Sequence, residues 1–233
     1  MQQPRWLHQA RSTILDLIFP PRCVGCGYGG RWLCAQCVAS LKYLNAPLCV
    51  RCGQELGDAN HCNACRSRPL PAALAGVRAV AHYDGHLRRA IHAFKYERLT
   101  ALAEPLGAIL ADYLVGHSLP HTLILPVPLH PERERERGYN QSLLLAAVVG
   151  RHSRVPVNHR VLARVRNTRP QVGLNEQERQ DNLLGAFRCT GRVDDQQVLL
   201  IDDVCTTGAT MSQCALALRA AGARSVWGLT LAR

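Results

Sequence analysis

The spacing of apolar positions changes near residue 70, and the second part of the chain carries the clearer pattern. "GVRAVAHY" (76–83) alternates apolar and polar residues and predicts a strand. The next stretch predicts one helix to about Tyr96 and another from about Thr100 to Val115. "HTLILPVPLH" (121–130) reads as a buried strand that ends at prolines, and "YNQSLLLAAVVGRHS" as the helix after it. "RPQVGLNEQERQDNLLGAF" is polar, a loop and a helical turn leading to a short strand. "QQVLLIDDV" is a second buried strand, "GATMSQCALALRAAG" its helix and "RSVWGLTLA" a closing strand. Fully apolar strands that alternate with helices argue an α/β fold, a parallel sheet flanked by helices on both faces. Such sheets bind ligands beyond the carboxyl ends of their strands.

Before residue 70 this pattern is missing. Ile14 to Phe19 reads as a short amphipathic helix, interrupted by Asp16 and ended by Pro20-Pro21. It is too short for a secretory h-region, and no window of the chain predicts a transmembrane segment, so a cytoplasmic protein is expected. Four C-x-x-C pairs follow: Cys23/Cys26, Cys34/Cys37, Cys49/Cys52 and Cys62/Cys65. Thiols stay reduced in such a compartment, and two intervening residues let both sulfurs of a pair reach one tetrahedral Zn²⁺. About two zinc ions per chain are expected. Sequential pairing, Cys23/26/34/37 with one ion and Cys49/52/62/65 with the other, is simplest, and a crossed pairing stays open. A segment this poor in large apolar side chains needs metal to fold, so the zinc is read as structural. The expected organisation is a helix over 1–20, a small double zinc ribbon over 21–70 and an α/β domain over 71–233.

Charge adds a partner. The chain has 28 basic and 17 acidic residues, a formal net charge of +11. Eight thiolates and two Zn²⁺ lower this to about +7, which still favours a polyanionic ligand. Arg22, Arg31, Arg51, Arg66 and Arg68 decorate the cysteine segment, and Tyr28 and Trp32 offer rings for base stacking.

The most informative stretch is "VLLIDDVCTTGAT" (198–210). It runs from a buried strand through two carboxylates into a small, hydroxyl-rich turn at a helix start. Unpaired N–H groups at the helix start, with the hydroxyls of Thr206, Thr207 and Thr210, are donors for a phosphate. Gly208 lets the chain approach closely, and Ala209 belongs to the same turn. Asp202 and Asp203 then address another part of the same ligand, a sugar diol. A phosphate next to a diol describes a ribose 5-phosphate. Cys205 is read as packing.

This stretch resembles the phosphoribosyl pyrophosphate (PRPP) motif of type I phosphoribosyltransferases. The wider chain resembles the ComF/GntX family of competence and DNA-utilisation proteins, through "LIFPPRCVGCG", the four C-x-x-C pairs, "YDGHLRRAIHAFKY", "PVPLHPERERERGYNQ" and "RNTRPQVGLNEQERQDN". The resemblance implies a type I phosphoribosyltransferase-like domain behind an N-terminal double zinc ribbon. It also implies PRPP with Mg²⁺ as ligands and single-stranded DNA as a partner. A DNA-uptake helicase or membrane channel complex at the inner face of the cytoplasmic membrane is a further expected partner. By the same resemblance Asp202 and Asp203 are the catalytic pair, Val127-Pro128 lies on the pyrophosphate loop, and Arg88 and Lys95 face the PRPP pocket. That loop often has strained peptide geometry in phosphoribosyltransferases, so a cis bond at Val127-Pro128 is an open expectation. Arg137 lies before Gly138 and a helix start, with Asn140 and Gln141 as further donors; the rest of "ERERERGYNQ" reads as a solvated loop. Gln171, Arg179 and Asn182 occupy a polar loop able to close over the site. Whether the domain catalyses a pentosyl transfer stays open. Two classes remain: a PRPP-binding protein of DNA uptake, or a purine or pyrimidine salvage phosphoribosyltransferase with a structural zinc module.

Overall fold

The apolar run before the two aspartates forms the central strand of a parallel sheet. In a computed structural model, which describes residues 20–57, 62–67, 70–167 and 182–233, the sheet comprises β1 (Gly76–Ala81), β2 (Leu123–Pro126), β5 (Gln197–Val204) and β6 (Ser225–Ala232). Their order is β1-β6-β5-β2, all parallel. A two-stranded antiparallel hairpin, β3 (Leu162–Arg164) and β4 (Phe187–Cys189), stands beside it. Successive side chains of β5 point to opposite faces, and both faces are covered. Leu199 and Ile201 join a core with α3 (Gly85–Tyr96), α4 (Ala103–Gly116) and α6 (Gln141–Ser153). Val198 and Leu200 join a second core with the hairpin and α7 (Ala209–Ala220). Two-sided burial is the reason the run shows no polar alternation.

Most expected elements appear with shifted ends. The strand expected over 121–130 is ordered as β only at Leu123–Pro126, because Pro126 and Pro128 bring no N–H to the ladder. The Val127–Pro128 bond is not cis; among the described residues the cis peptide bond is Ala46–Pro47. "PERERER", expected as a solvated loop, is the helix α5 (Pro131–Arg137). Its sequence carries the start and stop signals: Pro131 at the first turn, Glu132 and Glu134 near the N-terminus, Arg135 and Arg137 in the last turn, and Gly138 at φ 89° as the cap. Two short helices, α1 (Ala35–Ala39) and α2 (Asn63–Ser67), lie in the cysteine segment. The helix expected before Pro20 and the loop positions Gln171 and Arg179 lie outside the described residues.

The cysteine segment is tied directly to the sheet. Residues 42–44 run along the free edge of β1, with Leu44 N–H donating to Val80 O at 3.0 Å, His82 N–H to Lys42 O at 2.9 Å, and Tyr43 bridged antiparallel to Ala81. Cys23, Leu33, Cys37 and Leu41 are buried in the same core as α3 and α4. Trp32 is partly buried and packs on this core. The Arg51 guanidinium donates to the carbonyls of Ala75, Leu70 and Pro71 at 2.9–3.0 Å, a structural use that removes it from the charged surface.

The close pairing of α4 and α6 depends on a bare backbone. A Cβ on Gly107 would lie 2.5 Å from the Val148 Cβ, an atom that rotation of the side chain cannot move away. Gly107→Ala should therefore cost about 1–3 kcal/mol through overpacking, despite the better helix propensity of alanine. Urea unfolding checks this; a stabilised variant would contradict the packing.

Candidate functional site

Two four-thiol clusters are assembled, and both follow sequential pairing. Within each of Cys23/Cys26/Cys34/Cys37 and Cys49/Cys52/Cys62/Cys65, the sulfurs lie within 4.8 Å of one another. Sulfur separations are 3.6 Å for Cys23–Cys37, 3.7 Å for Cys26–Cys34 and 3.5 Å for Cys52–Cys62. A tetrahedral Zn²⁺ with sulfur at 2.3 Å has edges of about 3.8 Å, so the donor set fits that ion. Backbone N–H groups already point at the sulfurs: Cys34 to Cys23 at 3.3 Å, Cys37 to Cys34 at 3.5 Å and Cys65 to Cys62 at 3.4 Å. Burial alone would raise the Cys23 thiol, but the N–H groups of Cys34, Cys26 and Gly25 outweigh it and bring it to about 6. Cys49 reaches about 6 in the same way, against its burial, through the N–H groups of Cys52, Cys62 and Arg51. Burial and the neighbouring sulfurs push Cys37 and Cys65 up instead. One thiolate per cluster thus forms readily, and a bound dication would favour ionisation of the others.

The second candidate site lies at the carboxyl end of β5. Asp202 and Asp203 are consecutive strand residues and face opposite sides. Asp202 is half-buried and lines a hollow of about 40 Å³ with residues 204–211, so it shares a wall with Thr206, Thr207, Gly208, Ala209 and Thr210. Gly208 caps α7 at φ 81° and brings no side chain to the helix start, while the Ala209 N–H donates to Thr207 Oγ1 at 3.4 Å. The Gly208 backbone comes close to Leu70, whose Cδ2 lies 3.1 Å from where a Cβ would sit. Burial first, then the Asp203 charge, pushes the Asp202 carboxyl up to about 7, although Lys95 and the Ser142 hydroxyl pull the other way.

Asp203 turns toward α3. It is 2% exposed and pairs with Lys95 Nζ at 2.8 Å, while its Oδ2 has no hydrogen-bond partner. Burial would lower the Lys95 ammonium, but Asp203 more than compensates, and its pKa is raised. The second aspartate and the lysine, both expected to face a ligand, are here a buried pair.

Across the cleft, the N-terminus of α6 meets the end of β2. Asn140 accepts from Ser142 N–H at 2.9 Å and donates to Val127 O at 3.1 Å. The Ser142 hydroxyl donates to Asp202 Oδ1 at 2.8 Å. Val127 is buried, and its N–H donates to Ile201 O at 2.9 Å, which holds Val127 and Pro128 beside β5. Ser142 was not among the expected site residues; its place two positions after an Asn helix cap is the signal that could have marked it. Arg137 donates to Gln141 Oε1 and lies over the Tyr96 ring at 5.6 Å. With Lys95, Tyr96, Arg98, Arg133 and Glu136 it lines a basin of about 350 Å³. Arg88 does not line these spaces. It is exposed in a separate groove between α3 and Val24. Cys205 is buried and its thiol is pushed up to about 11, chiefly by that burial, in keeping with a packing role.

Residues 14–66 match the double zinc ribbon domain family. Competence protein F of Haemophilus influenzae is 32% identical over 86% of this chain and 90% of its own length. The chain belongs to the ComF/ComFC/YhgH family. Other ComF-family relatives have similar extents: DNA utilization protein YhgH of Escherichia coli K12 is 31% identical over 84% of this chain and 88% of its own. Competence protein ComFC of Bacillus subtilis is 30% identical over 86% and 84%. Among solved structures, a glutamine PRPP amidotransferase from B. subtilis overlaps 55% of this ComF-family chain and 25% of its own, at 18% identity and a TM-score of 0.37. So loose a likeness identifies no fold; the parallel sheet flanked by helices rests on the strands themselves. Among the described residues no helix is long and apolar enough to cross a membrane.

Proposed function

We propose that this ComF-family protein binds PRPP at the carboxyl end of β5 and acts in the uptake or use of single-stranded DNA, with two structural zinc ions in its ribbon segment. The observation that carries the PRPP reading is one hollow that joins the Asp202 carboxylate to the start of α7 and its threonines. Backbone N–H groups at the start of α7 and the hydroxyls of Thr206, Thr207 and Thr210 would take the 5-phosphate. Asp202, oriented by Ser142, would accept from a ribose hydroxyl. Arg137 and the loop at Val127-Pro128 would flank the pyrophosphate. Mg²⁺, when bound with PRPP, would supply charge neutralisation at the pyrophosphate. The fixed hydrogen-bonding groups of this chain would orient the anomeric carbon, which is the contribution that positioning makes to any transfer. Asp203 would act indirectly, by holding Lys95.

Titration calorimetry with PRPP and Mg²⁺ tests this reading. Asp202→Asn and Thr207→Asp should each weaken binding at least about tenfold, the second by like-charge repulsion of the phosphate. Unchanged affinity in both would end it. Since the Asp202 carboxyl lies near 7, PRPP affinity should rise as pH climbs from about 6 to about 8, and Asp202→Asn should retain only the ligand's own titration. Without ligand the sign reverses. A carboxyl raised by folding binds more protons in the native than in the unfolded state, so the stability of the free protein should fall as pH rises from about 4 through about 7. Pyrophosphate release from PRPP with a free nucleobase would instead favour salvage chemistry.

A further inference from the structure

The exposed face of α3 has a composition that packing does not explain. Its other face buries Leu87, Ala90, Ile91 and Phe94 in the core. Arg88, His92 and Tyr96 are exposed at i, i+4 and i+8, which makes one stripe about 12 Å long. At the amino-terminal end the stripe opens into a groove of about 650 Å³ between α3 and Val24 of the first thiol loop, where Arg89 joins it. At the other end Tyr96 forms a wall of the 350 Å³ basin that holds Lys95, Arg98 and Arg137. Lys95 leads from there to Asp203. Groove, stripe and basin therefore follow one another from the ribbon to the Lys95–Asp203 pair at the carboxyl end of β5.

The charge along this path is net positive: Arg88, Arg89, Lys95, Arg98, Arg133 and Arg137 stand against Glu97, Glu136 and the Asp203 that pairs with Lys95. Arg88 and Arg89 have no carboxylate partner among the described residues. Glu97 lines the groove but faces His92 at 3.4 Å. Arg98 is fixed by a bond to the Glu136 carbonyl at 3.0 Å, and Arg137 by Gln141 and the Tyr96 ring. Tyr96 is 63% exposed, an aromatic surface set between cations. Spaced cations beside an exposed ring suit a phosphodiester backbone whose bases are free to stack, and a duplex offers no such bases.

We propose that the exposed face of α3 is a track for single-stranded DNA, running from the first thiol loop to the basin beside Asp203 and leading a strand toward the PRPP site. This rests on the reading that the protein handles single-stranded DNA. Arg88 and Arg89 hold phosphates, and Tyr96 stacks a base at the entrance to the basin.

The test is fluorescence anisotropy of a labelled oligothymidylate with the full-length, zinc-loaded protein over a range of salt. Arg88→Glu/Arg89→Glu should weaken binding at least about tenfold and flatten the plot of log K against log salt by roughly 0.7 for each phosphate no longer held. Tyr96→Ala should weaken it about fivefold or more with little change in slope. The thermal midpoint verifies that each variant is folded, and Arg89→Gln repeats the test with a milder change. Wild-type affinity and slope in Arg88→Glu/Arg89→Glu would overturn the track. Duplex bound as tightly as single strand would overturn it too. A wild-type protein that binds no single strand at low salt would overturn the DNA reading itself.

Discussion

Lys95→Met is expected to destabilise the protein by about 3–5 kcal/mol, because it leaves the buried Asp203 carboxylate without a partner. The 2.8 Å contact joins a side chain 18% exposed to one 4% exposed, so solvent screens it little. Against a total stability of about 5–15 kcal/mol for a typical domain, such a loss is large. The second substitution separates a charge effect from a packing defect. Lys95→Met/Asp203→Leu removes both charges and should regain most of the loss, since an apolar pair of similar volume is often neutral or better. Urea unfolding of wild type, both single variants and the double variant completes the cycle. Additive losses would mean that the pair is not coupled. If Lys95→Met cannot be isolated folded, recovery of a folded double variant carries the same information.

Removing the metal is expected to have the second large effect, and an uneven one. Metal analysis should return two Zn²⁺ per chain, and structural zinc contributes roughly 10 kcal/mol of folding energy in isolated modules. The two clusters are embedded differently. Cys23 and Cys37 belong to the core built by α3 and α4, whereas Cys49, Cys62 and Cys65 form a small cluster with Cys52 and Leu56. Cys37→Ser should therefore lower the melting temperature of the whole chain. Cys62→Ser should chiefly loosen the second ribbon, seen as faster amide exchange around residues 49–65. Equal effects would contradict this division, and a chain without zinc would remove the ribbon reading altogether.

The β5–turn–α7 unit was legible because its signals are local: a two-sided apolar run, a left-handed Gly208 and a helix start. The knuckles were legible because ligand spacing is local as well. Alternation along a strand already required neighbours Asp202 and Asp203 to face opposite ways, yet assigning both to one diol overlooked it. α5 was missed because its alternating charges drew attention away from Pro131 and Gly138, which bound it. The burial of Lys95, the packing of Trp32 and the carbonyl contacts of Arg51 depend on partners brought from elsewhere in the chain. Nothing in their own neighbourhood distinguishes them from exposed residues. The hairpin strand β3 was missed too; at three residues it is too short to show a period.

The position of β1 has a consequence for synthesis. One of its edges meets residues 42–44, which leave the ribosome before it; the other meets β6, the last of the described strands in chain order. The Arg233 guanidinium binds the Cys52 carbonyl 181 positions earlier. At about 5–20 residues per second, roughly 10–40 s separate translation of the two partners. A nascent chain thus has time to load zinc while β1 still lacks its inner neighbour. The metallated ribbon would shield one side of that strand during the wait. Under zinc starvation the nascent strand would stand open on both sides, an invitation to aggregate.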